Sequence, residues 1–377
     1  MMFHQWSEGA LQYYWWGLVA LLAGLFVFMS FVQGGQSLLF SLGREEERKD
    51  LLVNSLGRKW ELGFTTLVMF GGALFAAFPL FYATSFGGAY YLWMAILFCF
   101  ILQAVAYEYR RKPGNLYGSK VYELFMLING TLGIFLIGVA LATLYTGGNF
   151  VVDARHLSRW TRPSYGLEAL GNLFNIAFRL MLFFLARLQG ALYFINNVED
   201  EEIRRRARRT VRYEGAFFVL LYLYVLYRIA TMLGYAYDHA SGVVSSEAFK
   251  YLHNLQALPP LSGLLIAGTL LVLLGWIRGG WSRSRRGIWW SGIGSVLAVT
   301  ALILTTAYNH TAYYPSVVDP QSSLTLANSS GSRYTLMTMG YVSLLVPFVL
   351  AYIAAVWRVM NRTPLTPEEV RDDPHRY

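Results

Sequence analysis

An ionisable side chain inside a long apolar run is the first place to look for chemistry. Each such group costs roughly 2.5–3.5 kcal/mol at the centre of a membrane-spanning helix and needs a reason to be there. Four residues stand out on that ground: Glu61, Arg179, Arg187 and Arg228. A fifth, Glu108, closes another apolar run. A carboxylate whose pKa is raised by burial can take up and release protons, so Glu61 and Glu108 are candidates for a proton relay. Arg179 and Arg228 lie deepest in their runs and are candidate buried charges, paired with a carboxylate or carbonyls between helices. Arg187 is nearer a helix end, where a long side chain can reach the interface. Glu61 also has a purely structural reading, because an acid in the first turn of a helix is favourable to its dipole.

Other chemistries find little support. The histidines are His4, His156, His239, His253, His310 and His375, all in loops, tails or last helical turns. A haem buried in a helical bundle needs an axial ligand within a span, and His310 is the only near candidate. The single cysteine, Cys99, sits in an apolar run, which excludes a disulfide framework and a cysteine metal site. The chain has no phosphate-binding loop, dinucleotide fingerprint or nucleophile elbow. Matches to Asn-x-Ser/Thr at Asn129, Asn309 and Asn328 are at chance level, and Asn129 falls inside a span. No self-contained redox or hydrolytic site is expected.

The elements that must position these residues are helices in a membrane. Of the 377 residues 55% are hydrophobic and only 14% charged, with a mean hydropathy of +0.40. A soluble domain carries nearly twice that charge. Nine apolar stretches are long enough to cross a bilayer: Tyr14–Phe40, Trp60–Ala83, Ala89–Tyr107, Val121–Tyr145, Leu167–Phe194, Ala216–Tyr237, Leu261–Ile277, Ile288–Ala307 and Leu336–Val359. The expected fold is therefore an all-α membrane protein of nine transmembrane helices in one polytopic domain. Trp and Tyr cluster at the ends of the runs, as interfacial belts do. The loops near 146–165, 238–257 and 310–333 have no helical period and read as caps over helix ends.

A net charge of +9 invites a nucleic-acid reading. The placement of the charge excludes it. Odd-numbered connections and the C-terminal tail hold 23 Lys and Arg, and even-numbered connections hold 5. By the positive-inside rule the odd connections and the C-terminus are cytoplasmic and the N-terminus is outside. The N-terminus lacks a basic n-region and carries Glu8, so it does not read as a cleavable signal. The run Glu199–Arg212, acids first and bases after, reads as a solvated connector with charges four apart, or alternatively as a patch for lipid headgroups. Glu61 and Glu108 are expected at the same cytoplasmic face, on neighbouring antiparallel helices joined by the tight hairpin Thr84–Gly88.

Ordered motifs along most of the chain resemble subunit II of the cytochrome bd quinol oxidases. They run from Tyr14–Trp16 through Asn54–Ser55, Trp60–Glu61, the segment GGALFAAFP at Gly71–Pro79, Tyr82, and Tyr107–Arg110 with Lys112. They continue through Gln189–Ala191, Pro315 and Ser323–Thr325 to Thr335–Leu336. The resemblance implies two four-helix bundles plus one peripheral helix. It implies that this chain ligates no metal or haem, while a partner subunit I carries haems b and d, oxidises quinol from the quinone pool and reduces oxygen to water. Small single-helix accessory subunits, a structurally bound quinone or lipid, and a bacterial inner-membrane location follow from the same resemblance.

Residue by residue, Glu61 matches the family acid after the Trp in a proposed proton route, Glu108 a further acid of that route, and Tyr377 a C-terminal aromatic. The family's first helix often carries two acids, whereas this chain reads Met29-Ser30-Phe31-Val32-Gln33-Gly34-Gly35. A path here would use Gln33, Gln36, Thr65, Thr66 or water in their place. Two other readings compete: a purely architectural partner subunit, and a secondary transporter. Transporters show inverted repeats and interrupted helices at matching positions, and neither is found in the sequence.

Overall fold

A computed structural model describes residues 2–238, 240–372 and 377. Of the six histidines, His239 and His375 lie outside the described residues. Among those described, nine helices are long and apolar enough to cross a membrane. We label them α1 (Glu8–Ser37), α2 (Glu46–Ala77), α3 (Tyr90–Tyr109), α4 (Ser119–Thr146), α5 (Leu173–Asn197), α6 (Glu201–Thr231), α7 (Pro259–Trp281), α8 (Gly287–Ala307) and α9 (Arg333–Met360). All nine expected runs are present. Several helices extend beyond them: α1 starts at Glu8 and α6 at Glu201, because capping and charged turns continue a helix past its apolar stretch.

Local sequence explains the boundaries. Ser7, Asn172, Asp200 and Ser332 each accept a backbone N–H in the first turn of the helix they precede, as capping residues do. Pro259 opens α7, where its missing N–H costs no hydrogen bond. Within α4, residues Asn129–Gly133 form a π-helical turn, a local widening frequent at functional sites.

Neighbouring helices pack mostly in chain order: α1 on α2, α3 on α4, α4 on α5, α5 on α6, α7 on α8. Helix α1 also packs on α5 and α8 and so occupies the middle of the molecule. Two crossings are unusually close. A Cβ on Gly34 would stand 1.9 Å from the Ala186 carbonyl oxygen, and one on Gly190 would stand 2.5 Å from the Gly35 nitrogen. The α7–α8 crossing uses the same device, with a Gly268 Cβ falling 2.5 Å from the Ala298 nitrogen. Small residues substitute for a hydrophobic driving force between helices in lipid. Helix α9 lies at the edge, largely exposed, and is anchored by Trp357 against Phe28, Phe31, Tyr193 and Trp289. The buried Lys59 ammonium lies 5.0 Å above the same Trp357 ring.

The two ends differ. At one, the basic connections meet: Arg48 pairs with Asp200 at 3.0 Å, Arg206 donates to the Leu42 carbonyl, and Arg58 pairs with Glu369. We call it the basic end. At the other, the long loops interlock, and the loop near 238–257, expected to lack a helical period, holds a short helix at Lys250–Ala257. β1 (Phe150–Val152) pairs antiparallel with β2 (Ser158–Trp160), and β3 (Gly234–Tyr237) with β4 (Val244–Glu247). Strands of three or four residues without an apolar alternation leave little trace in a sequence.

Candidate functional site

Beside the α1–α5 crossing, five polar side chains meet within the apolar bundle. Gln33 and Gln36 project from α1, Gln103 and Tyr107 from α3, and Asn129 from the π-helical turn of α4; all five are buried. The close approach of α4 to α1, where a Gly130 Cβ would sit 2.5 Å from the Gln33 carbonyl, brings them together. Gln103 Oε1 accepts from Gln33 at 3.0 Å, Gln36 at 2.8 Å and Asn129 at 2.7 Å. Gln36 also donates to the Tyr107 hydroxyl at 3.1 Å and accepts from Asn129 at 2.9 Å. Gln103 Nε2 and Asn129 Oδ1 are buried with no partner among the described residues. The result is a short column of uncharged hydrogen-bonding groups.

Tyr107 links this column to the basic end. Its ring stacks on Trp60 (centroids 5.5 Å apart) and meets the Tyr377 ring edge-on. Tyr377 fits over Gly57 and is held by Asn54 through its backbone N–H. Its carbonyl accepts from Arg110. Arg110, fully buried, pairs with Glu123 at 2.8 Å and Asp50 at 2.7 Å. Glu123, also fully buried, takes Lys49 at 3.1 Å on its other oxygen. Lys49 pairs with Glu46, and Arg111 with Asp50. Three cations and three anions thus interlock beneath the column.

The expected relay residues divide between two places. Gln33, Gln36 and Tyr377 belong to the buried column and its foot. Glu61, Thr65 and Glu108 lie on the exposed surface of the chain. Trp60 and Tyr107 stack, so the acids that follow them share the basic end, as expected. Glu108, however, forms an exposed pair with Lys112, whose ammonium is held above its usual range by that hydrogen bond. The hydroxyl of Thr65 donates to the Glu61 carbonyl at 2.8 Å. The Glu61 carboxylate has no hydrogen bond or ion pair among the described residues. It stands at the basic end of an exposed α2 face that continues as Phe64, Val68 and Phe75, one wall of an apolar cleft of about 500 Å3 between α2 and α3. Thr66 is buried and bonds back to the Gly63 carbonyl.

The arginine expectations divide as well. Arg179 is half-buried, its guanidinium 5.8 Å from the Phe135 ring centre. Arg187 pairs with Glu214 at 2.7 Å and donates to Ser37. Arg228 does not satisfy the expectation of burial: it lies on an exposed face of α6, three residues from its end. A place within an apolar run fixes depth along the helix but not which face is covered, so the sequence misjudged its surroundings. His310 is exposed in a loop. Among the described residues no three His, Cys, Asp or Glu side chains gather as a metal site.

Sequence reasoning missed Glu123, Gln103 and Asn129 as parts of a site. Glu123 is third in an expected span and carries the same signal as Glu61. The amides are uncharged polar groups in apolar runs, a signal visible only when such residues are tallied alongside the charged ones.

Comparison with known proteins places this geometry. The family described as "Cytochrome bd terminal oxidase subunit II" matches residues 11–360. The chain is 28% identical over 379 residues to "Cytochrome bd-I ubiquinol oxidase subunit 2" of Escherichia coli strain K12, covering 97% of this chain and 98% of that protein. It is 25% identical over 366 residues to "Cytochrome bd ubiquinol oxidase subunit 2" of Bacillus subtilis strain 168, covering 93% and 98%. Its fold superposes on a chain of the bd oxidase structure from Geobacillus thermodenitrificans with a TM-score of 0.63 at 14% identity, covering 93% and 98%. Together with nine apolar helices, the match shows that the chain belongs to the cytochrome bd terminal oxidase subunit II family, as a multi-pass protein of the bacterial inner membrane.

Proposed function

We propose that this chain is the haem-free subunit II of a cytochrome bd-type quinol:oxygen oxidoreductase, built as two four-helix bundles with α9 peripheral. In this reading it stabilises a haem-bearing subunit I, which oxidises quinol and reduces oxygen to water. The basic end faces the cytoplasm, in keeping with the distribution of lysine and arginine. Glu61 supplies the carboxylate step of a cytoplasmic proton path, running along the surface that meets subunit I. The cleft between α2 and α3 is the place this reading gives to a structurally bound quinone or lipid. Small single-helix subunits complete the complex.

The observation that carries the reading is the exposed Glu61 carboxylate on the α2 face, which has no ion-pair partner among the described residues. An ionised acid near an apolar lipid-facing surface is expensive. A partner protein that hydrates it, or exchanges protons with it, removes that cost. The amide column plays a different part. Amides and a tyrosine are poor proton donors and acceptors near neutral pH, so Gln33, Gln36, Gln103 and Asn129 fix the helices in register and the path runs outside them. Replacing Glu61 by Gln in the assembled complex is expected to slow steady-state oxygen consumption with an unchanged haem spectrum. Unchanged turnover would remove Glu61 from the path and leave the architectural role.

A further inference from the structure

Away from the amide column, the start of α6 and the α7–α8 connection enclose a cleft of about 710 Å3 at the basic end. Six guanidinium groups line it, from Arg204, Arg205, Arg208, Arg212, Arg283 and Arg285, against only two carboxylates, Glu201 and Glu202. Three of the six have a carboxylate in reach: Arg205 pairs with Glu202, Arg204 lies 3.0 Å from Glu201 and 3.7 Å from Glu199, and Arg285 shares that Glu199; Arg208, Arg212 and Arg283 have none among the described residues. Arg208 and Arg212 donate to the carbonyls of Ser282 and Gly280, which orient a guanidinium without cancelling its charge. Arg285 reaches Glu199 only at 3.8 Å. Arg283 has no side-chain hydrogen bond or ion pair among the described residues. Arg204 is 3% exposed; it pairs with Glu201 at 3.0 Å, and its Nε is buried without a hydrogen-bond partner.

Like charges brought this close repel, and an oppositely charged ligand relieves the repulsion. Planar guanidinium forks match the oxygens of a phosphate and bind it through paired, charge-assisted hydrogen bonds. Two further features say where that phosphate comes from. Trp281 lines the cleft, with the Arg212 guanidinium 5.8 Å from its ring centre and Trp276 edge-on behind it. Trp at a helix end marks the headgroup level of a bilayer. Directly along the same two helices run the exposed apolar side chains of Leu220, Leu223, Ile266, Leu270 and Ile277, a track for acyl chains.

We propose that this cleft binds the phosphate headgroup of an anionic phospholipid, with its acyl chains against α6 and α7. The site is independent of Glu61 and of the proton path.

The test uses the complete oxidase complex, delipidated in neutral detergent and titrated with mixed micelles containing either phosphatidylglycerol or phosphatidylcholine. Each arginine near an anionic headgroup contributes about fivefold to affinity. The triple variant R208Q/R283Q/R285Q is therefore expected to bind phosphatidylglycerol about a hundredfold more weakly than wild type, with phosphatidylcholine binding unaffected. The single variant R283Q, which breaks no contact within the chain, is expected to lose about fivefold and keeps the test open if the triple variant fails to assemble. Inorganic phosphate is titrated in parallel. Failure of millimolar phosphate to displace phosphatidylglycerol supports the lipid. Displacement at concentrations matching the lipid would overturn the lipid assignment in favour of a soluble phosphate. Equal binding of the two lipids, or an R283Q and triple variant indistinguishable from wild type, would overturn the site itself.

Discussion

Arg110, at the end of α3, and Glu123, in the first turns of α4, form an ion pair at 2.8 Å in which neither side chain has any exposed surface. Glu123 holds Lys49 on its second oxygen, so one carboxylate ties α2, α3 and α4 together. Removing one partner from a buried pair leaves an uncompensated charge and costs about 3–5 kcal/mol. The variant E123Q is expected to lower the thermal unfolding temperature of the complex and its yield. A melting curve matching wild type would show that Asp50 and Glu46 suffice to hold the two cations.

The amide column depends on one oxygen. Gln103 Oε1 accepts three hydrogen bonds, and Q103L would leave the Gln33 amide in an apolar bundle with no partner among the described residues. It would also take from Gln36 and Asn129 one of the two bonds each donates, so that one N–H of each is stranded. Each stranded group costs about 1–3 kcal/mol. Q103L is expected to destabilise the complex by several times what the near-isosteric Q103E does at a pH where the introduced acid is protonated. Thermal unfolding monitored by haem absorbance distinguishes the two.

The α1–α5 crossing leaves no room for a methyl group at Gly34, where a Cβ would lie 1.9 Å from the Ala186 oxygen. G34A is expected to abolish assembly, whereas G72A, at a glycine with open space around it, is expected to be neutral. Membrane yield of the complex, judged by haem content, measures both. Equal yields would mean that the helices slide apart at little cost.

Asp200 caps α6 and joins it to α2 through Arg48. Burial pushes its carboxyl up, but the Ile203 backbone N–H and the Arg48 guanidinium outweigh burial and hold it below the usual carboxylate range. A depressed pKa contributes stability that is full above the unfolded value, about 3.9, and is lost as pH falls through the folded one. D200A is expected to cost about 1 kcal/mol at pH 7 as a lost cap. The gap should narrow as the pH drops below about 4. Unfolding temperatures across that range read the difference, and a constant gap would show that the charge plays no part.

Much of the fold was legible because its cause is local. A run such as Ala89–Tyr107 is long enough to span and apolar enough to stay, and the clustering of Arg204–Arg212 in one connection marks one end. The acids at Glu61 and Glu108 were placed at a common end by the same reasoning. The site was less legible because its causes are distant in sequence. Nothing near Glu123 announces that Lys49 and Arg110 will flank it, and nothing near Gln103 announces Gln36 or Asn129. Arg228 shows the complementary failure: a position within an apolar run fixes depth along a helix but not which face is covered. The hairpins β1–β2 and β3–β4 are held by packing of the loops on one another, through contacts such as Gly148 on Ser316, and their short strands carry no period of their own.

The central claim is that Glu61 passes protons to the partner's oxygen-reducing site. It is tested most directly by single-turnover proton uptake in the assembled complex, followed with a pH-indicator dye while the haem absorbance reports oxygen reduction. With E61Q, proton uptake is expected to slow by about a hundredfold, the lower end of what one positioned acid–base group contributes. The haem spectrum before mixing should be unchanged. E108Q, which removes only a solvated surface pair, is expected to leave the rate near that of wild type. Proton uptake in E61Q at the wild-type rate would contradict the account.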